Sequence, residues 1–193
     1  MIQLSEAIRA VGDAYGTKPD CAGVAALLKL TAGHLGYDLT PRPVALRATH
    51  IPSEQVFFMG PRATALIPES AKGRVEDLRP ASTDTGHMVL TMNAPEKLMI
   101  DANLRQLGSY GVEAPSLVVR VQSTTPESGE WKVALEAFDM VLEYFLDDNA
   151  ALMGWYEEAL VKHTGNALLL AEMVGSGMSS AEIGRRLTWR SGA

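Results

Sequence analysis

The stretch GHMVLTMNAPEKLMID, residues 86–101, decides the fold of this chain. Two apolar runs flank the letters NAPE, in which an asparagine and a proline are turn-forming residues. The pattern predicts a β-hairpin whose turn is centred on Ala94. Directly opposed residues of a hairpin share a constant sum of residue numbers and point to the same face, so this centre places His87 opposite Asp101. The hairpin therefore predicts an imidazole beside a carboxylate.

Two helices are predicted before the hairpin. Residues 2–15 repeat apolar side chains at helical spacing until Gly16 breaks the pattern. A second helix is predicted over residues 20–35, with Asp20 as its N-cap. Gly36 is well placed to end this helix, because glycine adopts the left-handed conformation that a helix C-terminus favours.

Strands are predicted on both sides of the hairpin, at residues 43–50, 55–60 and 115–122. Residues 131–148 fit either a helix or two strands, and their strand-rich neighbourhood favours two strands. Residues 60–86 are rich in Pro, Gly, Ser and Asp and show little periodicity. A segment of this kind is typical of a functional loop or a covering flap, which here could border a pocket.

Helices return after the last strand, over residues 148–164 and as one or two helices within residues 166–190. The order of helices, then strands, then helices predicts an α+β fold. We expect a core of residues 1–146 and a C-terminal helical extension of residues 147–193.

Composition limits the function classes. The chain has 193 residues, of which 47% are hydrophobic and 21% charged, as expected of a folded core. Its net charge of −6 argues against binding to nucleic acid or to an acidic membrane. No apolar run approaches the roughly 20 residues needed to cross a bilayer. A single cysteine and a start without a signal-peptide pattern favour a cytoplasmic location.

Cys21 is the only cysteine, and it is predicted to lie in the first turn of the second helix. Unpaired amide groups and the helix dipole favour a thiolate at such a position, and Lys18 lies close in sequence. The alternative interpretation is a buried and inert side chain, because free cysteine is among the most buried residue types.

A nucleophilic thiol requires a base, and the chain has four histidines. His34 lies thirteen residues further along the second helix, about 20 Å away, and His163 is expected on a solvated helix surface. His50 ends a strand and stays open as a base. His87 is preferred, because Asp101 would hold one ring nitrogen and leave the other for the thiol.

This order of Cys, His and Asp resembles the transglutaminase-like branch of the papain-like cysteine fold, which includes arylamine N-acetyltransferases as relatives. The matching segments are DCAGVAALLKLTAGHLGYDLTPRPVAL, GHMVLTM and EKLMIDANLRQL, and the resemblance covers about residues 15–122. It implies an α+β papain-like core in which N-terminal helices pack on an antiparallel sheet. It also implies that Cys21 is the nucleophile, His87 the general base and acid, and Asp101 the orienting carboxylate.

The resemblance implies a cysteine-dependent acyl-transfer enzyme, such as an amide or isopeptide hydrolase, a peptidase, a deamidase or a transglutaminase-like enzyme. Its substrate would be a peptide, a protein or a small amide or thioester. The chain departs from the family pattern in two places. Val89 stands where many members have an aromatic residue, and no suitably placed Gln or Trp precedes Cys21 to complete an oxyanion hole. Tyr15, Asn103 and Gln106 are candidate substitutes, and an inactive binding or assembly module is the second hypothesis.

Other chemistries have less support. The histidines and acids do not cluster at metal-ligand spacing, and no phosphate-binding glycine loop is present, so no metal or cofactor is expected. The segment GMSSAEIGRRLTWR resembles the first helix and turn of a helix-turn-helix unit, and its arginines suggest a third hypothesis, association with DNA. No recognition helix follows it in the sequence, and the acidic net charge disfavours this hypothesis.

Overall fold

The computed structural model describes residues 1–60, 75–77, 86–122 and 131–190. Within these residues the chain has an α+β fold of four α-helices, a 3₁₀ helix and eight strands, which confirms the predicted fold class. The helices are α1 (Ile2–Tyr15), α2 (Cys21–His34), α3 (Ala150–Gly175) and α4 (Ser180–Arg190), and the 3₁₀ helix is Leu104–Tyr110. The strands are β1 (Thr40–His50), β2 (Gln55–Met59), β3 (Val75–Asp77), β4 (His87–Met92), β5 (Leu98–Asp101), β6 (Leu117–Arg120), β7 (Lys132–Ala137) and β8 (Met140–Leu146).

Most predicted elements are confirmed. The first helix, the second helix and the hairpin are present, and residues 131–148 contain two strands. Most of the predicted loop at 60–86 lies outside the described residues, and β3 falls within it. The predicted helix end at residue 164 is wrong, because α3 runs on through Gly165 to Gly175. Buried side chains that follow, such as Leu170, outweigh the cost of about 1 kcal/mol for a glycine inside a helix.

The chain forms two compact units, and each is built from separate segments. Unit 1 consists of Met1–Pro41, Val89–Thr124 and Gly154–Ala193, and unit 2 of Arg42–Met88 and Thr125–Met153. The expected division into residues 1–146 and 147–193 stays a prediction.

Unit 1 combines the β4–β5–β6 strands with helices. Strand β5 pairs antiparallel with β4 on one side and with β6 on the other, and all its residues are buried. Helix α1 packs against α2 and α4. Its apolar face includes Leu4, Ile8 and Val11, each at most 3% exposed. The backbone amide of Ser180 also donates to the Glu6 carboxylate at 3.1 Å, which joins the start of α4 to α1.

Unit 2 has its strands in the order β3–β2–β1–β8–β7. The pairs are antiparallel except for β2 with β3, which is parallel. Strands β7 and β8 form a hairpin whose two turn residues, Phe138 and Asp139, both have positive φ, 56° and 57°. That geometry matches the right-handed twist of the strands that it joins.

Candidate active site

The start of α2 positions Cys21. Cys21 is the first residue of the helix and is partly exposed. Asp20 caps the helix, as predicted, since its Oδ1 accepts a hydrogen bond from the Gly23 amide at 2.9 Å. A Cβ on residue 23 would lie 2.3 Å from Asp20 Oδ2, so the cap needs glycine there. Gly36, with φ +83°, follows the C-terminus of the helix as the sequence predicts.

Removing the cap should loosen this helix start. We expect Asp20→Ala to lower the free energy of unfolding by about 1 kcal/mol, because one amide of the first turn loses its acceptor. Urea denaturation measures this change. Asp20→Ser, which keeps a capping oxygen, is the matched control and should retain most of the stability; an equal loss in both variants would contradict the capping role.

Asp101 is the last residue of β5 and is fully buried. Its Oδ1 accepts a hydrogen bond from the Asn103 amide at 3.0 Å. The Asn103 side-chain Nδ2 then donates to the carbonyl oxygens of Gly16, at 2.9 Å, and Lys18, at 3.0 Å. These bonds connect the end of β5 to the loop that directly precedes Cys21.

The same bonds change the role of Asn103. Both hydrogens of its Nδ2 are directed at backbone carbonyls, so this group has no donor left for an oxyanion. Its candidacy as an oxyanion-hole residue is therefore wrong, and Asn103 is a positioning residue. Tyr15 lies beneath the Lys18 ammonium, which is 5.3 Å from the ring centroid. Gln106 is buried in the 3₁₀ helix.

His87 is the first residue of β4 and is fully buried. The predicted hairpin register is wrong by two residues. The observed pairs include Leu90 with Ile100, which centres the turn on Pro95 rather than on Ala94. The extended register puts Val89, not His87, opposite Asp101.

The turn is longer than predicted, and its charged residues contact the segment that follows β5. Glu96 accepts two hydrogen bonds from Arg120, at 3.0 and 3.1 Å, and Lys97 Nζ donates to the Gln122 carbonyl at 3.2 Å.

The boundary between the two units falls within β4, after Met88, so that His87 belongs to unit 2. Cys21 and Asp101 belong to unit 1. The assignment of His87 as the base stays a prediction.

The other histidines differ in their surroundings. His50 ends β1, and its Nδ1 lies 2.7 Å from the Ser53 hydroxyl. His34 ends α2 and is exposed. His163 is half-buried and lines a cavity, so its predicted location on a solvated surface is wrong. Burial lowers the pKa of His163, the Lys162 charge lowers it further, and the Asp20 carboxylate acts in the opposite direction.

Within the described ranges, no group of three or more His, Cys, Asp and Glu side chains is placed to hold a metal ion. No helix of the described part is long and apolar enough to span a membrane. Comparison of the chain with protein-family models, with curated proteins and with solved structures finds no match in any of the three.

Proposed function

We propose that this chain is a cysteine-dependent acyl-transfer enzyme of the transglutaminase-like type. The observation that carries the proposal is the position of Cys21, a partly exposed thiol on the first residue of a capped helix. The amide groups of a helix start stabilise negative charge. They therefore suit both a thiolate nucleophile and the oxyanion that forms when it attacks a carbonyl.

In the proposed reaction, His87 takes the proton of the Cys21 thiol, and the sulfur attacks the carbonyl carbon of an amide or thioester. The bond to the leaving group breaks as His87 returns the proton to the departing amine or thiol. Water or an amine then attacks the resulting thioester and regenerates the thiol. Asp101 holds the imidazole in the orientation that these steps need.

The burial of the two partner residues supports this proposal. His87 and Asp101 are both fully buried, and an aspartate is almost never fully buried unless it has a partner. The bonds of Asn103 support it further, because they join the end of β5, where Asp101 lies, to the loop before Cys21.

Thiol labelling tests the proposal. We expect iodoacetamide to alkylate Cys21 rapidly near neutral pH, and His87→Gln to slow the reaction about ten-fold or more, because the thiolate loses its partner. Mass spectrometry of the intact chain follows the labelling. The same measurement after incubation with activated esters would detect an acyl adduct on Cys21.

His34→Gln is the matched control, since His34 lies on the same helix, about 20 Å from its start. It should leave the labelling rate unchanged. Circular dichroism and thermal melting are the controls that check whether the His87 variant is folded. Slow labelling of the wild-type chain, unaffected by His87→Gln, would contradict the enzyme proposal.

A second candidate function is a binding or assembly module without catalysis. The engagement of the Asn103 amide favours it, because one of the three candidate oxyanion donors is removed. Inert labelling together with retained folding is the result that this candidate predicts.

A further inference from the structure

A cavity of about 360 Å³ lies beside the first turns of α2, within unit 1. Its volume falls at the lower end of the range for small-molecule sites, about 300–1,000 Å³. Its apolar lining is formed by Val24, Leu27, Leu169 and Leu187. Three of these four side chains are at most 4% exposed, so this side of the cavity is continuous with the apolar core.

The rest of the lining includes polar groups with a positive balance. These are Lys18, Asp20, Lys162, His163 and Asn166. Two ammonium groups accompany one carboxylate, although the whole chain has a net charge of −6. Within the described part of the chain neither lysine has a carboxylate within ion-pair distance. Uncompensated ammonium groups beside a low-dielectric wall attract an anion.

The carboxylate on the rim is already engaged. Asp20 Oδ1 accepts the hydrogen bond from Gly23 and lies at the positive end of α2. Its charge is therefore partly offset by the helix, whereas the ammonium of Lys18 is held over the Tyr15 ring and keeps its charge at the rim.

His163 adds a buried hydrogen-bonding group to the lining of the cavity. Its Nδ1 is buried and has no hydrogen-bond partner among the described residues. A buried polar group without a partner is unfavourable, and a ligand that forms a hydrogen bond with His163 would relieve that cost.

We propose that this cavity binds a small carboxylate with an apolar body, of the medium-chain type. The carboxylate lies between Lys18 and Lys162, and the hydrocarbon lies on the side chains of Val24 and Leu27. Cys21 is not among the residues that line the cavity. The site thus goes beyond the acyl-transfer proposal and does not depend on it.

Isothermal titration with octanoate tests the proposal on the full chain. Octan-1-ol and octylammonium have the same hydrocarbon with no charge and with the opposite charge. We expect octanoate to bind at least about ten-fold more tightly than either, and Lys18→Gln/Lys162→Gln to remove that preference, because two partly screened charges together account for about a factor of ten.

Lys29→Gln is the matched control. Lys29 also belongs to unit 1, but its Nζ lies 2.7 Å from Asp38 Oδ1, and neither residue lines the cavity. This variant should bind octanoate as the wild-type chain does. The absence of saturable octanoate binding, equal affinity for the three probes, or unchanged octanoate affinity in the double variant would each overturn the proposal.

Discussion

Glu143→Gln should lower the free energy of unfolding by about 2–3 kcal/mol. Removing one partner of a fully buried ion pair costs about 3–5 kcal/mol, and the loss should be smaller here because this pair is not wholly buried. Glu143 lies directly opposite Arg47 in the β1–β8 pairing, and its Oε2 accepts a hydrogen bond from Arg47 Nε at 2.6 Å. Lys132 Nζ lies 3.0 Å from the other carboxylate oxygen. Without the carboxylate, the largely buried Arg47 guanidinium loses its charge-assisted hydrogen bond to Glu143.

The matched control is Glu96→Gln. Glu96 also pairs with an arginine of a neighbouring strand, Arg120, but both side chains are substantially exposed, at 37% and 79%. An exposed pair contributes about 0.2–1 kcal/mol, so this substitution should change stability much less. Chemical denaturation of both variants measures the difference. Equal losses would show that burial of the Arg47–Glu143 pair adds nothing.

Glu143 should also contribute to the acid sensitivity of the fold. Burial alone raises its pKa, but the hydrogen bonds and charges of Lys132 and Arg47 outweigh burial and hold the pKa below its ordinary value of 4.5. Because the pKa is lower in the folded chain than in the unfolded one, the stabilisation is fully present above about pH 4.5. It is lost as the pH falls through the folded-state pKa. Glu143→Gln should therefore flatten the acid limb of a stability-against-pH curve.

The helices before the sheet could be predicted because their signals are local. A capping aspartate, Asp20, and a terminal glycine, Gly36, define α2 within a short stretch of chain. The hairpin was also predictable, since its two apolar runs and its turn are adjacent. Its register was not, because a shift of two residues keeps every side chain on the same face of the sheet, so the apolar pattern fits both registers.

Contacts between distant segments explain most of what the sequence could not predict. Arg47 and Glu143 are 96 positions apart, so no local pattern relates them. The β7–β8 turn contains Phe138, which has a positive φ. Turns of this kind usually have glycine or asparagine at such a position, so a phenylalanine does not indicate the turn in the sequence. His163 lines a cavity beside α2 only because the third helix returns to it, whereas its own neighbourhood in sequence is polar.

The candidate site was predictable in part for the same reason. The position of Cys21 at a helix start follows from the cap next to it, and the position of Asp101 at a strand end follows from the hairpin. The role of Asn103 does not, because its two acceptors lie 87 and 85 residues away in the chain. An asparagine that follows a strand reads as a turn residue, and nothing near it indicates a bond to an earlier loop.

Asn103→Leu should lower the free energy of unfolding by about 1–3 kcal/mol, because it removes the side-chain donor of the buried Gly16 carbonyl. The Lys18 carbonyl also loses its bond to Asn103 but keeps a second donor, the Asp20 amide at 2.8 Å. The leucine fills a similar volume, so the loss reports the hydrogen bonds rather than a cavity. Urea denaturation gives the magnitude.

Hydrogen exchange separates a local effect from a general one. With the loop released, the amides of the first turn of α2 should exchange faster than those of β4, since the opening begins beside Asn103. Asn166→Leu is the matched control: Asn166 is exposed on α3, and its replacement should stay within about 0.5 kcal/mol of the wild-type chain. If Asn103→Leu proved equally neutral, the loop before Cys21 would be held by other contacts. The Asn103 hydrogen bonds between β5 and this loop would then contribute nothing to the free energy of unfolding.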